Sequence, residues 1–230
     1  MPKTALLFGS IGSVVETSDI QRRAYNQALQ EAGVHWVWDR ETYAELLEQA
    51  GGKERLSMLA SATGANLSAE QIEKIHARKT EIACEEVVRA HVSPRPGVSE
   101  LIRLGKERGM KLAFVTTTYR PNIDAIFEAA KPALSEEDFD AVVARVDVTH
   151  PKPAPDAYLF ALRELGVEPS DALAIEDTAA SVMAAKRAGL TVVATPGELT
   201  SGQDFWQADI VLDALATAGT LDERVLALLA

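Results

Sequence analysis

His91-Val92-Ser93-Pro94-Arg95-Pro96-Gly97 divides this chain into two kinds of pattern. Two prolines and a glycine within seven residues interrupt helix and strand alike, so the stretch reads as a joint between structural units. Beyond it, short apolar runs alternate with helical segments. Lys111 to Thr116, Ala141 to Ala144, Ala172 to Ile175 and Thr191 to Ala194 read as strands. Val98 to Arg108, Pro121 to Ala130, Pro155 to Leu165 and Thr178 to Ala188 read as the helices between them. Apolar strands separated by helices of about ten residues predict right-handed crossovers and a mostly parallel sheet covered on both faces. The Ala-rich stretch after Asp213 reads as a closing helix.

Before the joint the pattern is helical, apart from its first element. Thr4 to Phe8 is an apolar strand running into the turn Gly9-Ser10-Ile11-Gly12-Ser13. Ile20, Ala24, Ala28 and Ala32 then recur at helical spacing, and Gly33 stands where a left-handed cap is expected. A second helix runs from the N-cap Asp39 to Ala50 and ends at Gly51-Gly52. A long third one opens on the capping box Ser68-x-x-Gln71, with Ile72, Ile75, Lys79, Ile82, Glu86 and Ala90 along one side. The expected architecture is an α/β, doubly wound, Rossmann-like parallel-sheet core formed by residues 1–15 and 92–230. An all-helical cap, residues 16–91, is inserted into it.

Length and composition set limits on function. The 230 residues, 47% hydrophobic and 25% charged, suffice for one core plus a smaller unit and exclude disordered classes. The formal charge of −11 repels nucleic-acid phosphates and anionic lipid, so neither a nucleic acid nor a membrane is expected as a partner. Cys84, the one cysteine, permits no internal disulfide, which fits a reducing cytoplasm. The apolar run Ala5 to Phe8 is shorter than a signal-peptide core or a membrane span.

Ligands of open parallel sheets bind beyond the carboxyl ends of the strands. Those positions hold Gly9 to Ser13, Thr116-Thr117-Thr118, His150-Pro151-Lys152 and Glu176-Asp177-Thr178. Thr116, Thr117, Ser10 and Lys152 are of the type that binds phosphate, and Asp177 and Glu176 are hard oxygen ligands suited to magnesium. Other readings fail on spacing. Gly9 to Ser13 lacks the end of a phosphate loop and the full dinucleotide fingerprint. The four histidines lack zinc spacing. Cys84, Trp36 and Trp38 read as packing residues.

Pro94 to Val98, Phe114 to Thr117, Lys152 to Asp156 and Ile175 to Asp177 resemble the joint and the second, third and fourth motifs of the haloacid-dehalogenase-like phosphatases. Trp36 to Asp39, Gly51 to Arg55 and His76 to Thr80 resemble the helical cap of the branch holding CbbY-like sugar-bisphosphate phosphatases and β-phosphoglucomutase relatives. The resemblance covers nearly all of the chain and implies a magnesium-dependent phosphatase or phosphomutase. It further implies substrate contacts from Glu16 and from Lys53 and Arg55 on the cap.

The first motif departs from that pattern. The family has apolar-Asp-x-Asp-Gly-Thr, in which the first Asp attacks phosphorus and the second protonates the leaving group. Gly9 and Ile11 stand at those two positions, so no family catalytic residue is intact there: glycine supplies no nucleophile and isoleucine no proton. Gln21 stands where the branch often has histidine. Two classes follow from these residues. One is a phosphatase-like protein with little or no activity and weak or absent magnesium, binding a phosphorylated sugar or a protein partner of unknown identity. The alternative is an active magnesium-dependent phosphoric monoester hydrolase working through substitute residues.

Overall fold

The computed structural model describes residues 2–48 and 51–230. Its elements run β1 (Ala5–Phe8), α1 (Ser18–Glu31), α2 (Arg40–Leu46), α3 (Gly52–Thr63), α4 (Ala69–Ala90), α5 (Val98–Glu107), β2 (Lys111–Val115), α6 (Arg120–Ala130), β3 (Ala141–Val143), α7 (Asp156–Leu165), β4 (Ala172–Glu176), α8 (Ala179–Arg187), β5 (Thr191–Ala194), β6 (Ile210–Val211), β7 (Ala216–Thr217), β8 (Thr220–Leu221) and α9 (Glu223–Leu228). Six strands form one sheet in the order β3-β2-β1-β4-β5-β6, with every neighbouring pair parallel. This is the doubly wound α/β fold read from the alternating pattern, with the helical insert between β1 and α5.

Alternation along β1 explains why both faces are covered. Leu6 and Phe8 join a core cluster with residues of α5, α6 and α9, while Ala5 and Leu7 join another with residues of α7 and α8. Phe8 lies in register with Phe114 of β2 and Ile175 of β4. The chain therefore leaves three adjacent strands side by side at Gly9, Thr116 and Asp177. The insert packs around an aromatic cluster, in which Tyr25, Trp38, Tyr43 and Leu56 are buried with Leu199 of the loop after β5 and Trp36 is packed alongside.

Local chemistry accounts for several boundaries. Asp39 caps α2 by accepting from Thr42 N at 2.8 Å, Ser68 and Gln71 form the reciprocal box at the start of α4, and Gly33 takes φ +72°. Two expectations need correction. The second helix ends at Leu46, and its expected end at Ala50 lies outside the described residues. Gly51 and Gly52 open α3 rather than close α2: Gly51 is its N-cap at φ +89°, and glycine is needed at 52 because a β-carbon there would stand 2.6 Å from His76 Nε2.

The closing helix expected after Asp213 is mostly a hairpin. Ala218 and Gly219, at φ +50° and +78°, turn β7 into β8, and only Glu223–Leu228 is helical. Alanine favours helix, yet a two-residue turn with both φ positive matches strand twist and takes precedence here. The two-residue edge strand β6 is too short to show in sequence.

Candidate active site

The residues after β1, β2 and β4 meet beneath the helical insert, around a cleft of 220 Å³. Ser10, Ile11, Thr116, Thr117, Lys152, Glu176 and Asp177 line its floor. Lys53, Arg55, His76 and Lys79 of the insert line its roof, with Tyr25 and Gln21 of α1.

Lys152 is held in place at the floor. Its ammonium donates to Glu176 Oε1 at 2.5 Å and to Val115 O at 3.1 Å, and lies 4.9 Å from the Tyr158 ring centre. The Tyr158 hydroxyl donates to the same glutamate oxygen. An ammonium has three hydrogens, so one is left for a ligand. Beside it, Thr116 Oγ1 accepts from Ser10 Oγ at 2.9 Å and from the Thr118 amide at 3.1 Å, and its own hydrogen is donated to Thr118 Oγ1 over 3.4 Å, a long bond that a ligand oxygen can displace. The Gly12 amide is used on Val15 O at 2.7 Å, so of the first loop's amides this one is committed to the turn.

Ser13 joins the two carboxylates, its hydroxyl lying 2.9 Å from Asp177 Oδ1 and 3.2 Å from Glu176 Oε2. Burial, reinforced by the Glu176 charge, pushes the Asp177 carboxyl well above the ordinary carboxylate range. Magnesium requires about six oxygens in near-octahedral geometry. Here one glutamate oxygen is taken by Lys152 and Tyr158, Ser13 occupies the space between the carboxylates, and Gly9 adds no third one. Among the described residues, no group of three or more His, Cys, Asp or Glu stands where it could hold a metal ion. Asp177 and the second oxygen of Glu176 are the carboxylate donors that remain beside the cleft.

Over the cleft, Lys53 forms a 2.5 Å ion pair with Glu73 and lies 5.1 Å from the Tyr119 ring centre. Arg55 is buried, donates to Leu46 O at 2.7 Å and lies over the Tyr25 and Tyr43 rings. Glu16 stands apart from the cleft lining. Its two carboxylate oxygens accept the amides of Ser18 at 2.9 Å and Glu198 at 2.8 Å, a tie between α1 and the loop after β5.

Four contributors were not singled out by sequence reasoning as site residues. Lys79 is buried with its ammonium on Gln21 Oε1, 4.7 Å from the Tyr25 ring centre; burial and then the Arg55 charge push it down to about 7. Its signal was a lysine within the apolar stripe of α4. His76, pushed down to about 4 by burial and by Lys79 and Lys53, has no signal beyond its motif, and Asn122 and Arg145 have none. The remaining packing readings agree with the geometry. Trp38 stacks on Tyr43, and half-buried Cys84 has its thiol pushed up by burial.

Residues 5–189 match the family model of the haloacid dehalogenase-like hydrolases. The chain belongs to that family. It is 39% identical to protein CbbY of Rhodobacter capsulatus over 220 residues, covering 96% of this chain and 97% of the relative. The crystal structure of CbbY from Rhodobacter sphaeroides in complex with phosphate superposes with a TM-score of 0.88 at 39% identity, covering 96% of this chain and 98% of that one. A mutant of the same protein in complex with xylulose-1,5-bisphosphate gives a TM-score of 0.87, with 96% and 100% covered. These relatives place the haloacid dehalogenase-like chain in the CbbY-like branch. None of its described helices is long and apolar enough to cross a membrane.

Proposed function

We propose that this chain binds a phosphorylated sugar between the strand ends and the helical insert, with phosphatase turnover lost or strongly impaired and magnesium binding weak or absent. The observation that carries this reading is at position 9. Glycine stands there, and the space a side chain would need is filled by the Glu176 carboxylate and the Ser13 hydroxyl. Without a carboxylate at 9 or 11 there is neither an attacking oxygen for phosphorus nor a positioned acid for the leaving group.

Binding needs none of that machinery. Lys152, Thr116, Thr117 and Ser10 are the residues we assign to one phosphate. Lys53 and Arg55 are assigned to an anionic group at the far end, which requires Lys53 to exchange its exposed Glu73 partner. Residues 16–91 act as the cap domain in this reading, and residues 1–15 and 92–230 as the core. The bisphosphate bound by the CbbY relative has an anion at each end, which supports a ligand of that class. Glu16 serves to connect the two parts. A reducing cytoplasm suits the single cysteine.

Calorimetry with sugar mono- and bisphosphates, in magnesium and in chelator, tests this together with a phosphate-release assay. Binding that is retained in chelator and weakened at least about tenfold by Lys152→Ala, without turnover, is the expected result. Magnesium-dependent turnover abolished by Asp177→Ala would establish the substitute-residue phosphatase instead.

A further inference from the structure

Lys79 stands out among the residues around the cleft. It is 7% exposed, its amine faces the cleft, and among the described residues no carboxylate forms an ion pair with it. Its contacts are the Gln21 amide oxygen and the face of the Tyr25 ring. The charged or titratable neighbours are Arg55 from α3, Tyr25 from α1, and His76 and Cys84 from α4 itself. Most of these are cationic or neutral. A lysine in dry surroundings beside another cation is the arrangement that turns an ammonium into a nucleophilic amine at neutral pH.

We propose that Lys79 is a carbonyl-reactive amine that forms an imine with the open-chain ketone or aldehyde of a phosphorylated sugar held in this cleft. The proposal rests on the sugar-phosphate reading above, and it adds a covalent step that phosphate binding does not require. The neutral amine keeps one N–H on Gln21 Oε1 and offers its lone pair to the carbonyl carbon. The C–N bond forms as the C=O π pair moves to oxygen. The two amine hydrogens leave with that oxygen as one water, giving C=N without oxidant, reductant or metal. Burial and Arg55 lower the affinity of this amine for its proton to about 7, so a far larger share of it is neutral at that pH than of an exposed lysine.

Two measurements test this on the intact protein. Acetylacetone is a small neutral dicarbonyl that needs no phosphate site. Peptide mapping after its reaction at neutral pH should find the enaminone on Lys79 at least about tenfold ahead of the exposed lysines. Ribulose-1,5-bisphosphate with cyanoborohydride should then leave a reduced adduct on the same residue, absent in Lys79→Met, with calorimetry reporting binding separately. No preferential labelling of Lys79 by acetylacetone overturns the proposal whatever the sugar does. Sugar that binds by calorimetry and leaves no adduct overturns it as well. Sugar that neither binds nor reacts, while acetylacetone labels Lys79, overturns the sugar-phosphate reading and leaves the amine's reactivity established.

Discussion

A β-carbon on Gly9 would stand 2.5 Å from Glu176 Oε2, inside contact distance, so the carboxylate of β4 occupies the space that a side chain at the end of β1 would need. Aspartate at position 9 must displace both this carboxylate and the Ser13 hydroxyl, and it adds a third acid to a buried pair. Gly9→Asp alone is therefore expected to lose about 1–3 kcal/mol of stability and to hydrolyse nothing. With Ile11→Asp added, attacking oxygen and acid are both present, and magnesium-dependent phosphate release should appear. Groups that act as a unit are strongly non-additive. Ile11 is partly buried against the core, so thermal melts must accompany the assay. Equal turnover by the single and double variants would show that position 11 is dispensable.

The buried Lys152–Glu176 pair predicts an asymmetric response. Lys152→Ala strands a carboxylate that is 1% exposed, at a cost of about 3–5 kcal/mol. Glu176→Gln together with Lys152→Met removes both charges and should cost distinctly less. Chemical denaturation of the two variants beside the parent checks this. Equal losses for Lys152→Ala and the double variant would mean that the pair contributes through its shape rather than its charge.

The fold was legible because the apolar runs of β1 to β5 stand out from the amphipathic helical segments between them. Where local preference and tertiary context disagreed, the sequence misled: Gly51-Gly52 resembles a terminus and begins a helix, and the Ala-rich stretch after Asp213 resembles a helix and forms mostly a hairpin. In the site, the strand-end positions of Thr116, Lys152 and Asp177 followed from topology alone. The role of Glu16 did not, since its partners Ser18 and Glu198 are 180 residues apart in the chain. Arg95 was visible as part of the joint. Its guanidinium donates to the carbonyls of Gly12, Thr195 and Pro196, contacts between distant loops that no local pattern encodes.

His76 predicts an acid-sensitive stability. Burial and the positive charges of Lys79, Lys53 and Arg55, partly offset by Glu73, hold its folded-state value near 4, below the ordinary 6.5. Between those values the unfolded chain takes up a proton that the folded chain refuses, so stability falls as pH drops from about 6.5 to about 4. The full effect is about 3 kcal/mol. His76→Asn should flatten this part of a stability–pH curve measured by urea unfolding. An unchanged slope would assign the acid response to other groups.

Lys79 predicts the opposite end of the pH range. Its folded-state value of about 7 lies below the ordinary 10.5, so the unfolded chain protonates first as pH falls, and the native state loses stability between about 10.5 and about 7. Below that range both states are charged and the penalty is constant. Lys79→Met fills a similar volume without a charge, so it should raise the melting temperature at pH 7, with a gain of about 1–4 kcal/mol that shrinks towards pH 10.5. The same variant should bind phosphorylated sugars no more tightly than the parent, which would mean that a stabilising change had been forgone at a residue facing the cleft. Melts of parent and variant across this range check the sign. A variant less stable than the parent at pH 7 would mean that the Gln21 hydrogen bond and the Tyr25 ring contact outweigh the cost of burying the amine.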